Sequence, residues 1–469
     1  MLIPAFIALG YGEPDSTGFF SSAGIVMTVG GILWLLTRGD NRITNRDGFA
    51  IVSLAWILTA FVSSIPFQLT GTIPNLTDAF FESMSGVTTT GATILGNVAT
   101  LPHLPHGIES LPHGVLFWRS FIQWIGGMGI VLFYIAILPL LGINGYQLFK
   151  AEVPGPVADK IRPRVRETAK YLWMVYVGIT IVEILLLGIS GMNWFEAICH
   201  SFTTMPTGGF STRNASIGAF DNPTIHYIII LFMFLAGVNF SLHFKLLTGD
   251  RKAFWRDSEF RHYLGLVLGI TVIIAGTRLV QTGNFTHEEF RNSLFQTVSI
   301  LTTTGYATAD YEHWTFGAQF ILLSLMFIGA CGGSTGGGMK VIRIQLILKY
   351  TAMETRRMLH SRAIIPIRIG NRFIDEDIIR NTLGFFLFYI FIFAVTTLLL
   401  TAMNVDITSA VGAAASALGN VGPALASFGP MDNYALLPDF AKWLLSFCML
   451  LGRLEIFTVM VMFSRVFWK

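Results

Sequence analysis

Residues 87–93 read Val-Thr-Thr-Thr-Gly-Ala-Thr, and three other short stretches of the chain resemble them. They are Thr-Met-Pro-Thr-Gly-Gly-Phe at 204–210, Leu-Thr-Thr-Thr-Gly-Tyr-Ala at 301–307 and Gly-Asn-Val-Gly-Pro at 419–423. Each follows a short amphiphilic run and precedes a long apolar segment. An extended backbone whose carbonyl groups all turn inward can replace the hydration shell of an ion, and glycine permits the φ angles that this requires. The four stretches therefore predict an ion selectivity filter built from four loops.

The composition indicates that these loops belong to a membrane protein. Of the 469 residues, 53% are hydrophobic and 13% are charged, and the mean hydropathy is +0.61. A soluble protein carries about 25% charged residues, and apolar runs of roughly 20 residues, enough to cross a lipid bilayer, recur down this chain. We therefore predict a polytopic helical membrane protein. Cys199, Cys331 and Cys448 lie far apart and suggest neither a disulfide framework nor a metal cluster.

The loops mark an internal repeat. Their glycines Gly91, Gly208, Gly305 and Gly422 recur at intervals of about 110 residues, which is typical of repeated structural units. In each unit we predict an outer helix, a half-helix, a loop and an inner helix. The outer helices are predicted at 48–68, 171–189, 263–280 and 381–403, the half-helices at 76–88, 194–205, 287–302 and 406–418, and the inner helices at 115–142, 224–247, 316–349 and 441–467. The predicted fold class is an all-α polytopic membrane protein, with four helix–re-entrant pore loop–helix repeats around a central pore and an N-terminal helix hairpin.

Segment boundaries and orientation follow from the same pattern. Residues 1–46 are predicted to form the N-terminal transmembrane hairpin, whose first helix, at 1–11, is too short to span and is expected to begin upstream. Repeats 1 to 4 are predicted at 47–150, 151–250, 251–352 and 353–469. Most of the basic residues, 25 of the 31 Lys and Arg, lie in segments 38–46, 150–170, 245–261, 340–380 and 465–469. By the positive-inside rule these segments are cytoplasmic and the four loops face outward.

The candidate filter residues surround the four glycines. They are Thr89, Thr90, Gly91, Ala92, Pro206, Thr207, Gly208, Gly209, Thr303, Thr304, Gly305, Tyr306, Asn420, Val421, Gly422 and Pro423. A helix-breaking turn or a close-packing glycine would explain one such loop, but four loops with matching flanks favour a filter. The C-terminal ends of the half-helices would point to the pore centre, where the negative end of the helix dipole favours a cation. The expected cargo is a dehydrated monovalent cation.

A glycine-rich run interrupts the third inner helix. Residues 329–340 read Gly-Ala-Cys-Gly-Gly-Ser-Thr-Gly-Gly-Gly-Met-Lys, and each glycine costs a helix about 1 kcal/mol relative to alanine. A phosphate-binding loop is the alternative, but its lysine directly follows a glycine, and here Met339 separates Gly338 from Lys340. We therefore predict a flexible loop that obstructs the pore below the filter. Its candidate gate residues are Gly329, Gly332, Gly333, Ser334, Thr335, Gly336, Gly337, Gly338 and Lys340.

The last inner helix contains two ionisable residues, Arg453 and Glu455. An ionisable residue at membrane depth is a functional-site hypothesis by default, so Arg453 completes the candidate gate. The alternative is an ion pair that only fixes helix packing. Residues two apart do not face each other on a helix, however, so we expect separate partners. Small residues at 126–129 and 237–239 interrupt two other inner helices, and we interpret them as sites of close helix packing.

Together these motifs resemble the Trk/Ktr/HKT superfamily of potassium transporters. The likeness is carried by the four units and by the motifs at 89–92, 206–212 and 332–338, covers nearly the whole chain, and is greatest to the TrkH branch, the membrane subunits of bacterial Trk potassium uptake systems. It implies K⁺ as the transported ion, no enzymatic activity and no covalently bound cofactor. The implied K⁺ ligands are at Thr90, Gly91, Thr207, Gly208, Thr304, Gly305, Val421 and Gly422. Gly91 favours potassium, because a serine at that place accompanies sodium transport in plant relatives, whereas the fourth loop departs from the family pattern in lacking a hydroxyl.

The resemblance also implies partners and a location. It implies a homodimer in the bacterial inner membrane, with one pore per protomer, and a cytoplasmic nucleotide-binding regulatory ring, TrkA, on the basic inner face. No nucleic-acid partner is expected. Two alternatives are a channel-like subunit of a potassium-pumping ATPase complex and a multi-pass membrane enzyme that uses His103, His106 and His113. The sequence leaves open whether transport is passive or a symport with protons or sodium.

Overall fold

The computed structural model describes residues 1–37, 45–96, 107–137, 165–284, 286–360, 365–370, 372–465 and 467–468. Its helices are α1 (Leu2–Tyr11), α2 (Ser16–Leu36), α3 (Asn45–Leu69), α4 (Leu76–Val87), α5 (His113–Ile137), α6 (Val165–Ile189), α7 (Trp194–Thr204), α8 (Pro223–Ala236), α9 (Phe240–Leu247), α10 (Ala253–Arg256), α11 (Ser258–Thr282), α12 (His287–Leu301), α13 (Phe316–Met326), α14 (Val341–Leu359), α15 (Glu376–Ala402), α16 (Ile407–Gly419), α17 (Asp439–Arg453) and α18 (Phe457–Met460). Two short antiparallel strands, β1 (Arg368–Ile369) and β2 (Arg372–Phe373), pair with each other. Short 3₁₀ turns lie at Gly107–Ser110, Ser216–Ala219, Tyr311–His313, Ala426–Phe428 and Val461–Phe463.

The long helices are membrane-spanning in length and composition. Within the described residues, five helices (α2, α3, α6, α11 and α15) are long and apolar enough to cross a bilayer, and two sharply bent helix pairs raise the number to as many as seven. The bent pairs are α8 with α9, at 99°, and α17 with the segment that ends at Phe463, at 110°. The prediction of a predominantly helical polytopic membrane protein is confirmed.

Four short helices, α4, α7, α12 and α16, lie where half-helices were predicted. Each begins at a residue whose side chain accepts a hydrogen bond from a backbone N–H of the first turn, which satisfies donors that a helix start leaves unpaired. These capping residues are Asn75, Asn193, Thr286 and Asp406. The C-terminal half of each helix is largely buried, so every one of them enters the protein and ends inside it.

Two large hydrophobic cores include residues of the first, third and fourth loops, and Met205 of the second loop lies in a smaller one. One core includes Val87 and Ala92 beside the first loop and Leu418 and Ala424 beside the fourth. The other includes Leu301 and Tyr306 at the third loop and also Val421. Since the loops contribute to both cores, their backbone is held inside the protein, which is the condition for non-helical backbone at membrane depth.

Two inner helices differ from prediction because they bend. The helix expected at 224–247 breaks at 237–239, where Asn239 caps α9 by accepting from the Ser241 N–H at 2.9 Å. The prediction of a continuous helix at 224–247 was therefore wrong. The interpretation of close packing is confirmed at Gly237, where a Cβ would lie closer than 3.0 Å to Tyr263 and Thr302.

The last inner helix, expected at 441–467, ends at Arg453. Glu455 and Ile456 follow with φ angles of 57° and 51°. These angles are incompatible with a right-handed helix, and the new direction turns the chain away by 110°.

The small residues at 126–129, in contrast, remain inside α5. A Cβ on Gly126 would lie closer than 3.0 Å to the Val87 carbonyl, and one on Gly127 would overlap Pro206. Close packing is therefore confirmed at these two glycines, and α5 lies directly against the starts of the first and second loops.

Several predicted features lie outside the described residues. They are His103 and His106, the boundary between repeats 1 and 2 at 150/151, and most of the basic segments 38–46 and 150–170. His113, the third histidine of that group, is described and stacks on Tyr11 at 3.8 Å while bonding Glu13 at 2.7 Å.

Candidate functional site

The four loops follow one backbone path. In each loop a residue other than glycine has a left-handed φ of 54–60°, and two residues later a glycine has a φ of 78–102°. The first set is Thr89, Thr207, Thr303 and Asn420, and the second is Gly91, Gly209, Gly305 and Gly422. L residues rarely adopt positive φ, so a fourfold recurrence at the same spacing reflects a shared structure. The expectation that Gly208 is the counterpart of Gly91 was wrong by one residue, because Gly209 occupies that place.

The loops contact one another in chain order and close into a ring. A Cβ added to each of the four left-handed glycines would lie closer than 3.0 Å to a carbonyl oxygen of a neighbouring loop. The glycine and carbonyl pairs are Gly91 with Gly208, Gly209 with Thr304, Gly305 with Val421, and Gly422 with Thr90. We call residues 88–93, 205–210, 302–307 and 420–423 the loop ring. No side chain fits at any of its four glycines without displacing a backbone carbonyl.

A cavity of about 80 Å³ opens at one end of the loop ring. All four left-handed glycines line it, together with Pro423, Asp432 and Tyr434. Most of the predicted filter residues are buried, whereas Gly91, Gly209, Gly305 and Pro423 are partly exposed. The filter residues predicted from the sequence therefore surround one small cavity, and the groups that they expose to it are mainly backbone atoms.

Side-chain hydrogen bonds fix each loop to its neighbours. Tyr306 donates to the His200 carbonyl at 3.1 Å, which ties the third loop to the half-helix before the second. Tyr311 donates to the Ala424 carbonyl at 2.8 Å. In the fourth loop, the amide of Asn420 donates to the Thr90 hydroxyl at 3.0 Å. The fourth loop thus lacks the threonine hydroxyl but has an amide that bonds the first loop.

The residues at 329–338, which we call the glycine run, lie against the opposite end of the loop ring. The two ends of the run lie side by side, because the Gly329 N–H donates to the Met339 carbonyl at 2.7 Å. The Gly337 N–H donates to the Thr303 hydroxyl at 2.7 Å, and the Thr335 hydroxyl donates to the Met205 carbonyl at 2.9 Å. These contacts involve the first residues of the loops, whereas the cavity involves the glycines farther on.

Two buried cations hold the glycine run. Arg453 donates to the Thr335 carbonyl at 2.6 Å and to the Gly126 carbonyl of α5 at 3.2 Å. Lys340 donates to the Gly336 carbonyl within the run. Glu455 instead pairs with Arg343 at 2.6 Å, so the prediction that Arg453 and Glu455 have separate partners is confirmed.

Glu259 is a third contact of the glycine run, and sequence reasoning missed it. One oxygen of this buried carboxylate accepts from the Gly332 N–H at 2.7 Å and from the Ile342 N–H at 3.1 Å. It therefore joins the run to the first turn of α14. In the sequence Glu259 is only an acidic residue in the first turn of a helix, where it is ordinarily favoured by the helix dipole. Only the tertiary structure brings it to the run.

Membrane-spanning helices, a buried ring of backbone loops and a second loop packed beneath it define a polytopic membrane transport protein. The chain belongs to the TrkH family, whose model is described as a cation transport protein and matches residues 16–468. The resemblance inferred from the sequence is therefore confirmed. Membership in a transport family favours the transporter interpretation over a pump subunit or a membrane enzyme.

Similar proteins match along the whole chain. The Trk system potassium uptake protein TrkH of Salmonella typhimurium is 43% identical over 477 residues, covering 100% of this chain and 96% of that protein. The Trk system potassium uptake protein TrkG of Escherichia coli is 36% identical, covering 100% and 95%. The crystal structure of the potassium transporter TrkH from Vibrio parahaemolyticus superposes with a TM-score of 0.88 at 38% identity, covering 100% of this chain and 96% of that one.

Proposed function

We propose that this chain is the potassium-translocating pore subunit of a bacterial potassium uptake system and lies in the inner membrane as a multi-pass protein. The observation that carries the proposal is the closed loop ring, in which four glycines of matching conformation line one cavity. Relatives along the full length are named potassium uptake proteins, which supports K⁺ as the cargo.

Selection in this proposal rests on backbone carbonyls. A dehydrated K⁺ needs several oxygen ligands at once, and four loops that share one path present them in layers. With Gly209 as the counterpart of Gly91, one layer is formed by the carbonyls of Thr90, Gly208, Thr304 and Val421. The next is formed by those of Gly91, Gly209, Gly305 and Gly422. Thr207, expected to be a ligand, then belongs one layer deeper, with Thr89, Thr303 and Asn420.

The glycine run is the proposed gate. It packs against the first residues of three loops, so an ion leaving the loop ring would meet it next. Its polar contacts are hydrogen bonds from Arg453 and Lys340 and to Glu259, while Ala330 and Cys331 at its start pack into the hydrophobic core. Polar contacts of this kind can exchange for water when the run moves, which suits a segment that opens and closes.

The proposed architecture and assembly follow the sequence prediction. Four helix–re-entrant loop–helix repeats, at 47–150, 151–250, 251–352 and 353–469, surround a central pore and follow the N-terminal hairpin 1–46. The half-helices in matching positions and their shared loop path support these repeats. We further propose a homodimer and a TrkA-like nucleotide-binding ring on the basic cytoplasmic face. The relatives' designation as parts of a Trk system supports a multi-subunit assembly.

The test is uptake of radioactive rubidium by proteoliposomes that contain the purified chain, with competition by K⁺ and Na⁺. We expect saturable uptake that K⁺ inhibits far more strongly than Na⁺. Gly209→Ala should lose this preference, since its Cβ would meet the Thr304 carbonyl. The matched control is Gly269→Ala in α11, where a Cβ meets no atom within 4 Å. Absence of uptake by the inserted parent chain, or equal inhibition by both ions, would contradict the proposal.

A further inference from the structure

The second loop differs from the other three at the position before its left-handed glycine. Thr90, Thr304 and Val421 occupy this position in the other loops, and all three are β-branched residues that restrict the backbone. The second loop has Gly208 there, followed by Gly209. Two consecutive glycines give a loop more conformational freedom than any other residue pair. The peptide between them is restrained within its own chain by a backbone bond from the Gly209 N–H to the Thr203 carbonyl at 3.3 Å, without the further restraint of a β-branched side chain.

The side chain of Gln123 occupies the space that a β-branched residue would fill. A Cβ on Gly208 would lie closer than 3.0 Å to the amide of Gln123. That amide donates to the Gly208 carbonyl at 2.7 Å and accepts from the Phe210 N–H at 3.2 Å. Gln123 is fully buried, and both ends of its amide are bound to the second loop. It therefore spans the flexible Gly208–Gly209 pair from outside.

The residue one turn before Gln123, Arg119, attaches the same face of α5 to the first and second loops. Arg119 and Gln123 are four residues apart on α5, so they lie on the same helix face. Arg119 donates to the Ser211 carbonyl at 3.1 Å, just beyond the second loop, and its guanidinium lies 4.3 Å from the centre of the Phe210 ring. It also donates to the Thr93 hydroxyl of the first loop at 3.2 Å.

An ion pair completes this attachment. Glu82 of α4 accepts from Arg119 at 2.9 Å, and both side chains are buried. The same carboxylate accepts from the Thr93 hydroxyl and the Ile94 N–H, each at 3.0 Å. Glu82 and Arg119 are both buried, and each has further hydrogen-bond partners. Moving either side chain out of this arrangement would leave a buried charge without a partner, which is costly, so the arrangement is strongly favoured. The face of α5 that carries Gln123 is thus fixed relative to both loops.

We propose that Gln123 is a specificity-determining positioning residue. From the neighbouring helix α5 it replaces the β-branched side chain that the second loop lacks, and it thereby orients the Gly208 carbonyl toward potassium. This rests on the proposed function, in which the Gly208 carbonyl is one of four in a layer. An ion filter discriminates by the number and orientation of its carbonyls, so one misdirected carbonyl lowers the preference for K⁺ while leaving a conducting pore.

The experiment measures the ratio of K⁺ to Na⁺ inhibition of rubidium uptake, normalised to inserted protein. Gln123→Met preserves volume but removes both hydrogen bonds, and it should lower the ratio by roughly tenfold, the factor expected for losing about one hydrogen bond of ordinary strength. The matched control is Gln319→Met, which also removes two hydrogen bonds, to the Glu312 and Trp314 carbonyls outside the loop ring, and should leave the ratio unchanged.

A rescue separates positioning from a general structural role. Gln123→Ala vacates the amide space, and Gly208→Val then supplies a β-branched residue as in the fourth loop; Gly208 has no left-handed φ to forbid it. The double variant should regain most of the preference lost in Gln123→Ala. Full preference in inserted Gln123→Met, or a double variant no more selective than Gln123→Ala, would overturn the inference. A parent chain that itself fails to discriminate would instead refute the proposed function.

Discussion

Replacing Arg453 by alanine should raise basal ion flux, and the structure sets the scale of the effect. The guanidinium lies 2.6 Å from the Thr335 carbonyl of the glycine run and 3.2 Å from the Gly126 carbonyl of α5. An ion passing at about 6 Å from this fixed charge is opposed by roughly 3 kcal/mol at an effective dielectric near 20. Removing that barrier corresponds to about two orders of magnitude in rate.

The same substitution also removes a hydrogen bond that holds the proposed gate. A hydrogen bond from a charged donor contributes about 1.5–3 kcal/mol, and Arg453→Ala removes the bond that ties the glycine run to α17. Arg453→Lys should give a smaller increase, of about one order of magnitude, because an ammonium keeps the charge but does not reproduce the two-branched guanidinium geometry. Flux should therefore rank alanine above lysine above the parent chain.

The assay is rubidium uptake into proteoliposomes, divided by the amount of correctly inserted protein. Arg278→Ala is the matched control, because Arg278 is also a largely buried arginine, but its partners are Glu289, at 2.7 Å, and Gln281 rather than the glycine run. The control should change the yield of folded protein at most. If Arg453→Ala lowers yield in the same way and leaves flux per molecule unchanged, Arg453 serves helix packing and the gate assignment is wrong.

Three further outcomes are expected. Gly91→Ser and Gly305→Ser should each reduce the preference for K⁺ over Na⁺, since a Cβ would meet a carbonyl oxygen of the neighbouring loop; competition of rubidium uptake measures this. Glu259→Ala should raise basal flux several-fold without altering ion preference, because it frees the glycine run from α14; uptake with and without competing Na⁺ separates the two effects. Burial and the neighbouring carboxylates raise the pKa of Glu312 to about 7, so uptake at low K⁺ should rise as the external pH increases through 7.

Each of these outcomes has a control. Gly269→Ser on α11 should keep the parent ion preference, since nothing lies within 4 Å of a Cβ there. For the gate, Glu259→Gln keeps one acceptor oxygen and should show a smaller increase than alanine; equal flux in both variants and the parent would remove Glu259 from the gate. For the pH effect, ionised Glu312 adds negative charge near Asp432 at the cavity, and Glu312→Gln should flatten the profile. An unchanged pH profile in that variant would assign the titration elsewhere.

Local sequence was sufficient to predict the elements that depend on neighbouring residues. Half-helices with capping residues such as Asn75 and Asp406, long apolar spans and the interruption by the glycine run are all determined by patterns within a few turns. The cooperation of four similar loops could also be anticipated, because a repeated motif folds in a repeated way. The resemblance to a transporter family then followed from the same motifs.

Tertiary structure decided the register of the second loop and the side chains that hold the site. The sequence suggested Gly208 as the counterpart of Gly91, but which of two adjacent glycines takes the left-handed conformation depends on packing against Thr304 and Gln123. The bend after Arg453 is also tertiary, since it occurs at residues without turn propensity and brings Glu455 to Arg343.

The roles of Glu259 and Gln123 could not be predicted from the sequence, for the same physical reason. Each acts on backbone groups 73 and 85 residues away along the chain, respectively, through hydrogen bonds that exist only once distant helices have packed. A buried backbone donor or acceptor must find a partner somewhere, but local sequence does not specify which side chain will reach it. The loops of this protein are thus encoded locally, whereas their alignment into the loop ring is set by long-range contacts.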